Sequence, residues 1–147
     1  GGDMIESVTL EKSTYAKGPT KFEAGTLDMA SIVGSARAIK FIQDNKEELL
    51  RVETQLTQLT VEMLQSIQGI KIIGHQGEKA GSIISFYHET LSAFDNAHFC
   101  ANDGVCIRVG QHCAEPFLNA LNIHATMRIS LGIYNTSQDI QKAKENF

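Results

Sequence analysis

Between Leu49 and Ile67, apolar residues return at steps of three and four: Leu49, Val52, Leu56, Leu59, Met63 and Ile67. That spacing is one face of an α-helix, and a helix with such a stripe has to bury it against something. Gly69 closes the pattern, as glycine commonly does just past a helix end. The chain then changes period at once. Ile70 to Ile73 and Ser82 to Tyr87 are short β-branched or aromatic runs separated by a polar, glycine-containing loop, which is how strands are written. A one-faced helix beside strands too short to stand alone predicts helices packed on a small, mainly antiparallel sheet. The expected class is α+β.

The rest of the chain is consistent with that frame. Asp28 can cap a helix whose apolar residues are Met29, Ile32, Val33, Ala36 and Ile39, and Gln43 to Lys46 is a polar break before the long helix. Ala93 to Asn102 reads as a helix, Val105 to Val109 as a strand, and Pro116 to Leu121 as a short helix. Met127, Ile129, Leu131 and Ile133 alternate with Arg128, Ser130, Gly132 and Tyr134, the pattern of a half-buried strand. Thr136-Ser137-Gln138-Asp139 has the spacing of a capping box that opens a last helix. Residues 1–25 show little periodicity and could bury little surface alone. They are expected to be the tail of a neighbouring domain, and the absence of an initiator methionine before Gly1-Gly2 leads us to expect a fragment.

With 147 residues and 42% hydrophobic content, the chain can build a sizeable core. A net charge of −4 argues against nonspecific nucleic-acid or membrane-surface binding, and no apolar run approaches the roughly 20 residues that span a bilayer. Three cysteines cannot all pair within the chain, so reduced thiols and a cytoplasmic location are expected.

Chemistry concentrates in Arg108-Val109-Gly110-Gln111-His112-Cys113-Ala114-Glu115-Pro116. Proline suits the first turn of a helix, so Cys113 is expected on a loop between a strand and a helix N-terminus. The positive end of that helix, and a protonated His112, would both favour a sulfur nucleophile. Buried cysteine can equally be a small hydrophobe, but Gly110, Gln111, His112 and Glu115 are not core-like neighbours. His112 reads as a proton carrier or as a plain loop histidine with equal ease. Arg108 and Arg128 occupy the even-numbered faces of strands whose odd-numbered residues are apolar. If those strands are neighbours, both guanidinium groups can meet one anion, because arginine grips carboxylate with two parallel hydrogen bonds. His98, Cys100, Cys106, His112 and Cys113 lie close in sequence, yet their irregular spacing lacks the C-x-x-C pairs of structural zinc sites, and no metal is expected. Gly25-Thr26 precedes a helix, and free N–H groups at a helix N-terminus suit phosphate.

The Arg108–Pro116 segment resembles the R-x-G-x-H-C-A-x-P signature of the cysteine desulfurase and selenocysteine lyase group within the class V aminotransferases. Gly1-Gly2-Asp3-Met4-Ile5, Lys21-Phe22-Glu23-Ala24-Gly25-Thr26, and Ala125-Thr126-Met127-Arg128-Ile129-Ser130 with Tyr134-Asn135-Thr136 agree in order and spacing. The resemblance therefore runs over nearly the whole chain. It implies the C-terminal part of a fold-type I pyridoxal-phosphate enzyme: residues 1–42 a remnant of the large cofactor-binding domain, 43–147 the small domain. It further implies conversion of L-cysteine to L-alanine, with a persulfide on Cys113 that passes to an acceptor protein in iron–sulfur cluster assembly. In that reading Cys113 and His112 are catalytic, and Arg128 binds the substrate carboxylate with Arg108 in the same region. Gly25 and Thr26 reach the pyridoxal phosphate of the partner subunit in a homodimer. The family's cofactor lysine, in a Ser-x-His-Lys stretch, has no counterpart among the nine lysines here, so this chain alone is expected to be inactive. Many relatives carry two histidines before the cysteine, where this chain has Gln111 and His112. Selenocysteine or another substrate with a β-leaving group stays open as an alternative, as does a non-enzymatic sulfur-relay or metal-binding module.

Overall fold

The computed structural model describes residues 2–74 and 81–147. It divides into two compact units, Gly1–Asn45 and Lys46–Phe147.

In the first unit, strands β1 (Ile5–Val8) and β2 (Ser13–Tyr15) pair antiparallel, followed by a 3-10 turn at Pro19–Phe22 and helix α1 (Met29–Asp44). The hairpin is an addition to the sequence reading, which saw no element before Asp28. Its turn is held by Thr9, whose hydroxyl accepts from the Glu11 and Lys12 backbone N–H groups at 3.3 and 3.1 Å. Such a turn carries no glycine or proline to announce it. Neither the hairpin nor α1 has a buried residue, and Met29, Ile32, Val33 and Ile39 of the expected apolar face are all exposed. A stripe predicts an amphipathic helix; it does not say what covers it.

The second unit holds α2 (Lys46–Gln65), β3 (Ile70–Ile73), β4 (Ile83–His88), α3 (Ala93–Asn102), β5 (Arg108–Gly110), α4 (Glu115–Ala120), β6 (Thr126–Ser130) and α5 (Ser137–Lys144). The strands form one sheet in the order β3-β4-β6-β5, with every neighbouring pair antiparallel, so the class is α+β. Leu56, Met63 and Leu64 of α2 bury together with Ile84 and Phe86 of β4, Met127 and Ile129 of β6, and Ile140 and Ala143 of α5. Leu59 of the predicted stripe is 42% exposed, and Thr60 is fully buried in its stead. Thr60 tolerates that position because its hydroxyl donates to the Leu56 carbonyl at 2.8 Å, leaving no unmet polar group. Gly69 is required twice over after α2. Its φ is +85°, and an added Cβ would stand 2.6 Å from the His88 ring.

Two strands are shorter than the alternation suggests. Val105 to Ile107 lies outside β5, because the ladder with β6 begins only at Arg108↔Arg128. β6 stops at Ser130, since Gly132 to Asn135 closes a turn in which the Asn135 side chain accepts from the Gly132 N–H at 2.7 Å. Ile133 and Tyr134 consequently point to solvent. The loop expected between β3 and β4 falls largely on residues 75–80, outside the described residues.

Candidate active site

β5 and β6 are antiparallel neighbours with Arg108 paired to Arg128, Val109 to Met127 and Gly110 to Thr126. Side chains of paired residues share a face of the sheet. Met127 is buried in the core, so Arg108 and Arg128 stand together on the opposite face. Ser85 of β4, paired with Arg128, extends the row. Like charges directly across a ladder destabilise it. Among the described residues no ion pair involves either arginine. Arg128 is half-buried, and its Nε is shielded from water without a hydrogen-bond partner. Two facing guanidinium groups, one with an unmet buried donor, make an arrangement suited to a carboxylate or another small anion.

Past Gly110 the chain turns sharply. His112 and Cys113 have φ of +53° and +58°, and the Ala114 N–H donates to the Gln111 carbonyl at 2.9 Å. Two successive positive values are the φ signature of a type I′ turn, which side chains other than glycine, asparagine and aspartate seldom adopt. Cys113 is exposed on this turn, just ahead of α4. The His112 ring folds back onto β6, its Nε2 donating to the Thr126 carbonyl at 3.3 Å. Thr126, 1% exposed, also donates its hydroxyl to the Gly110 carbonyl at 3.5 Å. Burial lowers the His112 pKa from 6.5, opposed by the Thr126 hydrogen bond and reinforced by the charges of Arg128 and Arg108. The protonated form of His112, which would have favoured a thiolate at Cys113, is therefore disfavoured. The neutral ring carries its proton on Nε2, which leaves the Nδ1 lone pair buried and unpartnered.

The other sequence candidates lie elsewhere. Cys100 is buried with its thiol pKa raised by desolvation, and its Sγ donates to the Asn146 carbonyl at 3.7 Å. Cys106 is exposed and lines a cleft of about 370 Å³ with Thr60, Tyr134 and Lys142. That cleft includes none of Arg108, His112, Cys113 or Arg128, so roominess alone does not locate the chemistry. Among the described residues no three His, Cys, Asp or Glu side chains gather as a metal cluster. No helix of the described residues is long and apolar enough to cross a membrane.

Gly25 and Thr26 lie in the first unit, in an exposed loop. Gly25 has a φ of +86° with open space where a Cβ would be. One of the N–H groups at the start of α1 is already taken by its own cap. The helix begins at Met29, and the Asp28 carboxylate accepts from the Ser31 N–H at 3.2 Å. The exposed Gly25–Thr26 backbone and the Thr26 hydroxyl are groups of the kind that would suit a phosphate edge. No Ser-x-His-Lys lysine is available for the aldehyde of pyridoxal phosphate. Thr126 is the site residue that sequence reasoning does not single out, because its partners come from a strand and a turn sixteen and fourteen positions away.

The profile of the family "Aminotransferase class-V" matches residues 1–143, and the chain belongs to that family. Within it, a "Probable cysteine desulfurase" of Staphylococcus aureus (strain Mu50 / ATCC 700699) is 37% identical over 97% of this chain and 35% of its own length. The apo structure of the cysteine desulfurase from Thermococcus onnurineus NA1 superposes with a TM-score of 0.82 at 28% identity, covering 99% of this chain and 36% of that one. The cysteine desulfurase CsdA (S-sulfonic acid) of Escherichia coli gives a TM-score of 0.80 at 26% identity over 99% and 36%. The chain thus spans about a third of the length of the relatives it matches.

Proposed function

We propose that this chain supplies the sulfur-handling, C-terminal part of a pyridoxal-phosphate-dependent cysteine desulfurase. The observation that carries the reading is the Arg108–Arg128 pair, which faces itself across the β5–β6 ladder with no acidic partner among the described residues, and an exposed Cys113 on the turn that follows β5. Arg128 binds the carboxylate of L-cysteine with its unmet Nε and terminal N–H groups, and Arg108 supports it from the neighbouring strand. Cys113, as thiolate, attacks the substrate sulfur. The new S–S bond forms as the substrate C–S bond breaks, and its electron pair stays with the substrate carbon, which a proton then converts to L-alanine. The products are alanine and a Cys113 persulfide, which an acceptor protein receives. Pyridoxal phosphate, the cofactor chemistry this family brings, supplies the electron sink that lets the C–S bond break. Gly25 and Thr26 would contact its phosphate edge, in the partner subunit of a homodimer. The lysine that holds it belongs to sequence upstream. In this reading residues 1–42 complete the large domain, residues 43–147 form the small domain, and the enzyme works in the cytoplasm.

The test uses the longer enzyme that contains this chain. Cys113→Ser is expected to abolish persulfide, read by mass spectrometry after a cysteine pulse, while cysteine still binds. Persulfide accumulating at the normal rate in that variant would transfer the nucleophile to Cys100 or Cys106 and overturn the assignment.

A further inference from the structure

Among the described residues, the turn that carries Cys113 is the one place where two successive non-glycine residues take a positive φ. Left-handed φ values at two successive residues with side chains cost on the order of 1–2 kcal/mol each, and they persist only where surrounding structure over-determines them. Three hydrogen bonds converge on this turn. Ala114 N–H closes it onto the Gln111 carbonyl at 2.9 Å. The Thr126 hydroxyl holds the Gly110 carbonyl at 3.5 Å, where β5 ends. The His112 ring reaches the Thr126 carbonyl at 3.3 Å. Among the described residues, the last is the one hydrogen bond that joins a side chain of the turn itself to the sheet. A carbonyl accepts and never donates, so this bond also decides the tautomer: the proton is on Nε2.

We propose that His112 is a positioning residue, a latch whose Nε2–H on the Thr126 carbonyl holds the left-handed turn and so fixes where Cys113 is presented. Thr126 serves as the strike plate, tying both the entry to the turn and the latch to the strand that carries Arg128. The two candidate roles, anion binding and sulfur attack, are thereby held in one frame, since Arg128 lies two residues along the same strand and face. The inference rests on reading Cys113 as the reacting sulfur. It is nevertheless tested on the chain alone, so its failure and that of the desulfurase reading are separable.

Two substitutions divide the possibilities. His112→Gln keeps a side-chain N–H at about the reach of Nε2 but cannot titrate. His112→Asn is easier in the left-handed region than histidine, yet too short for the Thr126 carbonyl. If the latch holds the turn, the Ala114 amide should exchange its hydrogen about fivefold faster in His112→Asn, the loss of one ordinary hydrogen bond. In His112→Gln it should stay within about twofold of the parent chain. Long-range proton–nitrogen spectra of the parent should show His112 with its proton on Nε2. A proton on Nδ1, or an Asn variant whose turn is as protected as the parent's, would overturn the proposal. So would a Gln variant that loosens as much as Asn, because that outcome belongs to a proton carrier rather than a latch. Should one variant fail to fold, the tautomer of the parent still decides.

Discussion

The two ends of β6 handle polar groups in opposite ways. Beyond its C-terminal end, the turn and the start of α5 satisfy their polar groups locally. The Asn135 side chain takes the Gly132 N–H, and Thr136 and Asp139 form a reciprocal capping box, Asp139 accepting from the Thr136 N–H at 2.8 Å. At the N-terminal end, Arg128 faces Arg108, and the Arg128 Nε and His112 Nδ1 are buried without partners beside a left-handed turn. Both ends belong to one strand of one sheet, so local folding quality does not explain the contrast. The open donor and acceptor fit the anion site proposed above, while Thr57 Oγ1 on α2 and Asn96 Nδ2 on α3 are also buried without a partner, so it is their pairing with two facing guanidinium groups that sets this end apart.

The contrast breaks most visibly if Arg128 is neutralised. Arg128→Met keeps the apolar stem and removes the charge. In the longer enzyme it should weaken cysteine binding by about 10- to 100-fold, because a charged hydrogen bond contributes about 1.5–3 kcal/mol. The unliganded chain should respond the other way, gaining a few tenths of a kcal/mol in urea unfolding as the cross-strand repulsion disappears. Loss of both binding and stability would mean that Arg128 is structural, and the anion site would fall with it.

At the satisfied end the signs should reverse. Thr136→Ala removes the hydroxyl that accepts from the Asp139 N–H at 3.4 Å and is expected to cost about 1 kcal/mol of stability. Cysteine affinity of the longer enzyme should be unchanged. A binding defect with intact stability would show that the two ends are not independent.

That second end is also where the sequence was most legible. Capping boxes are written in four consecutive residues, and Thr136–Asp139 reads directly as one. β3 and α3 likewise have the bounds that their composition suggests, being short, local and bracketed by breakers. The face occupied by Arg108 and Arg128 follows from alternation, whereas their register across the ladder does not, because pairing is a long-range choice. The turn at His112–Cys113 leaves almost no trace. Its left-handed residues carry no Asn-Gly or Gly-Gly marker, and the carbonyl that anchors it comes from Thr126, beyond any local window. Leu59 shows the complementary failure. Hydrophobic spacing placed it in the stripe, but Thr60, once bonded to its own helix, packs there instead.

The smallest expected effect isolates His112 by pH. Burial, with Arg128 and Arg108 beside it, lowers the folded pKa below 6.5. As pH falls through 6.5 the unfolded chain takes up a proton that the folded chain refuses, so the folded state loses ground. The contribution of neutral His112 is therefore complete above the usual value and lost as pH falls toward the lowered one. Asp28, Glu48 and Asp139 are held below 3.8, 4.5 and 3.8 mainly by hydrogen bonds from Ser31, Arg51 and Thr136, so their losses come at more acid pH. Urea unfolding at pH 7.5 and pH 5.5 should show the parent chain less stable at the lower pH than at the higher. His112→Gln, which keeps the hydrogen-bond donor and cannot titrate, should flatten part of that difference while leaving the pH 7.5 value nearly unchanged. An identical slope in both proteins would mean that His112 titrates as freely folded as unfolded. The buried, unpartnered Nδ1 of His112 would then carry no energetic penalty for protonation.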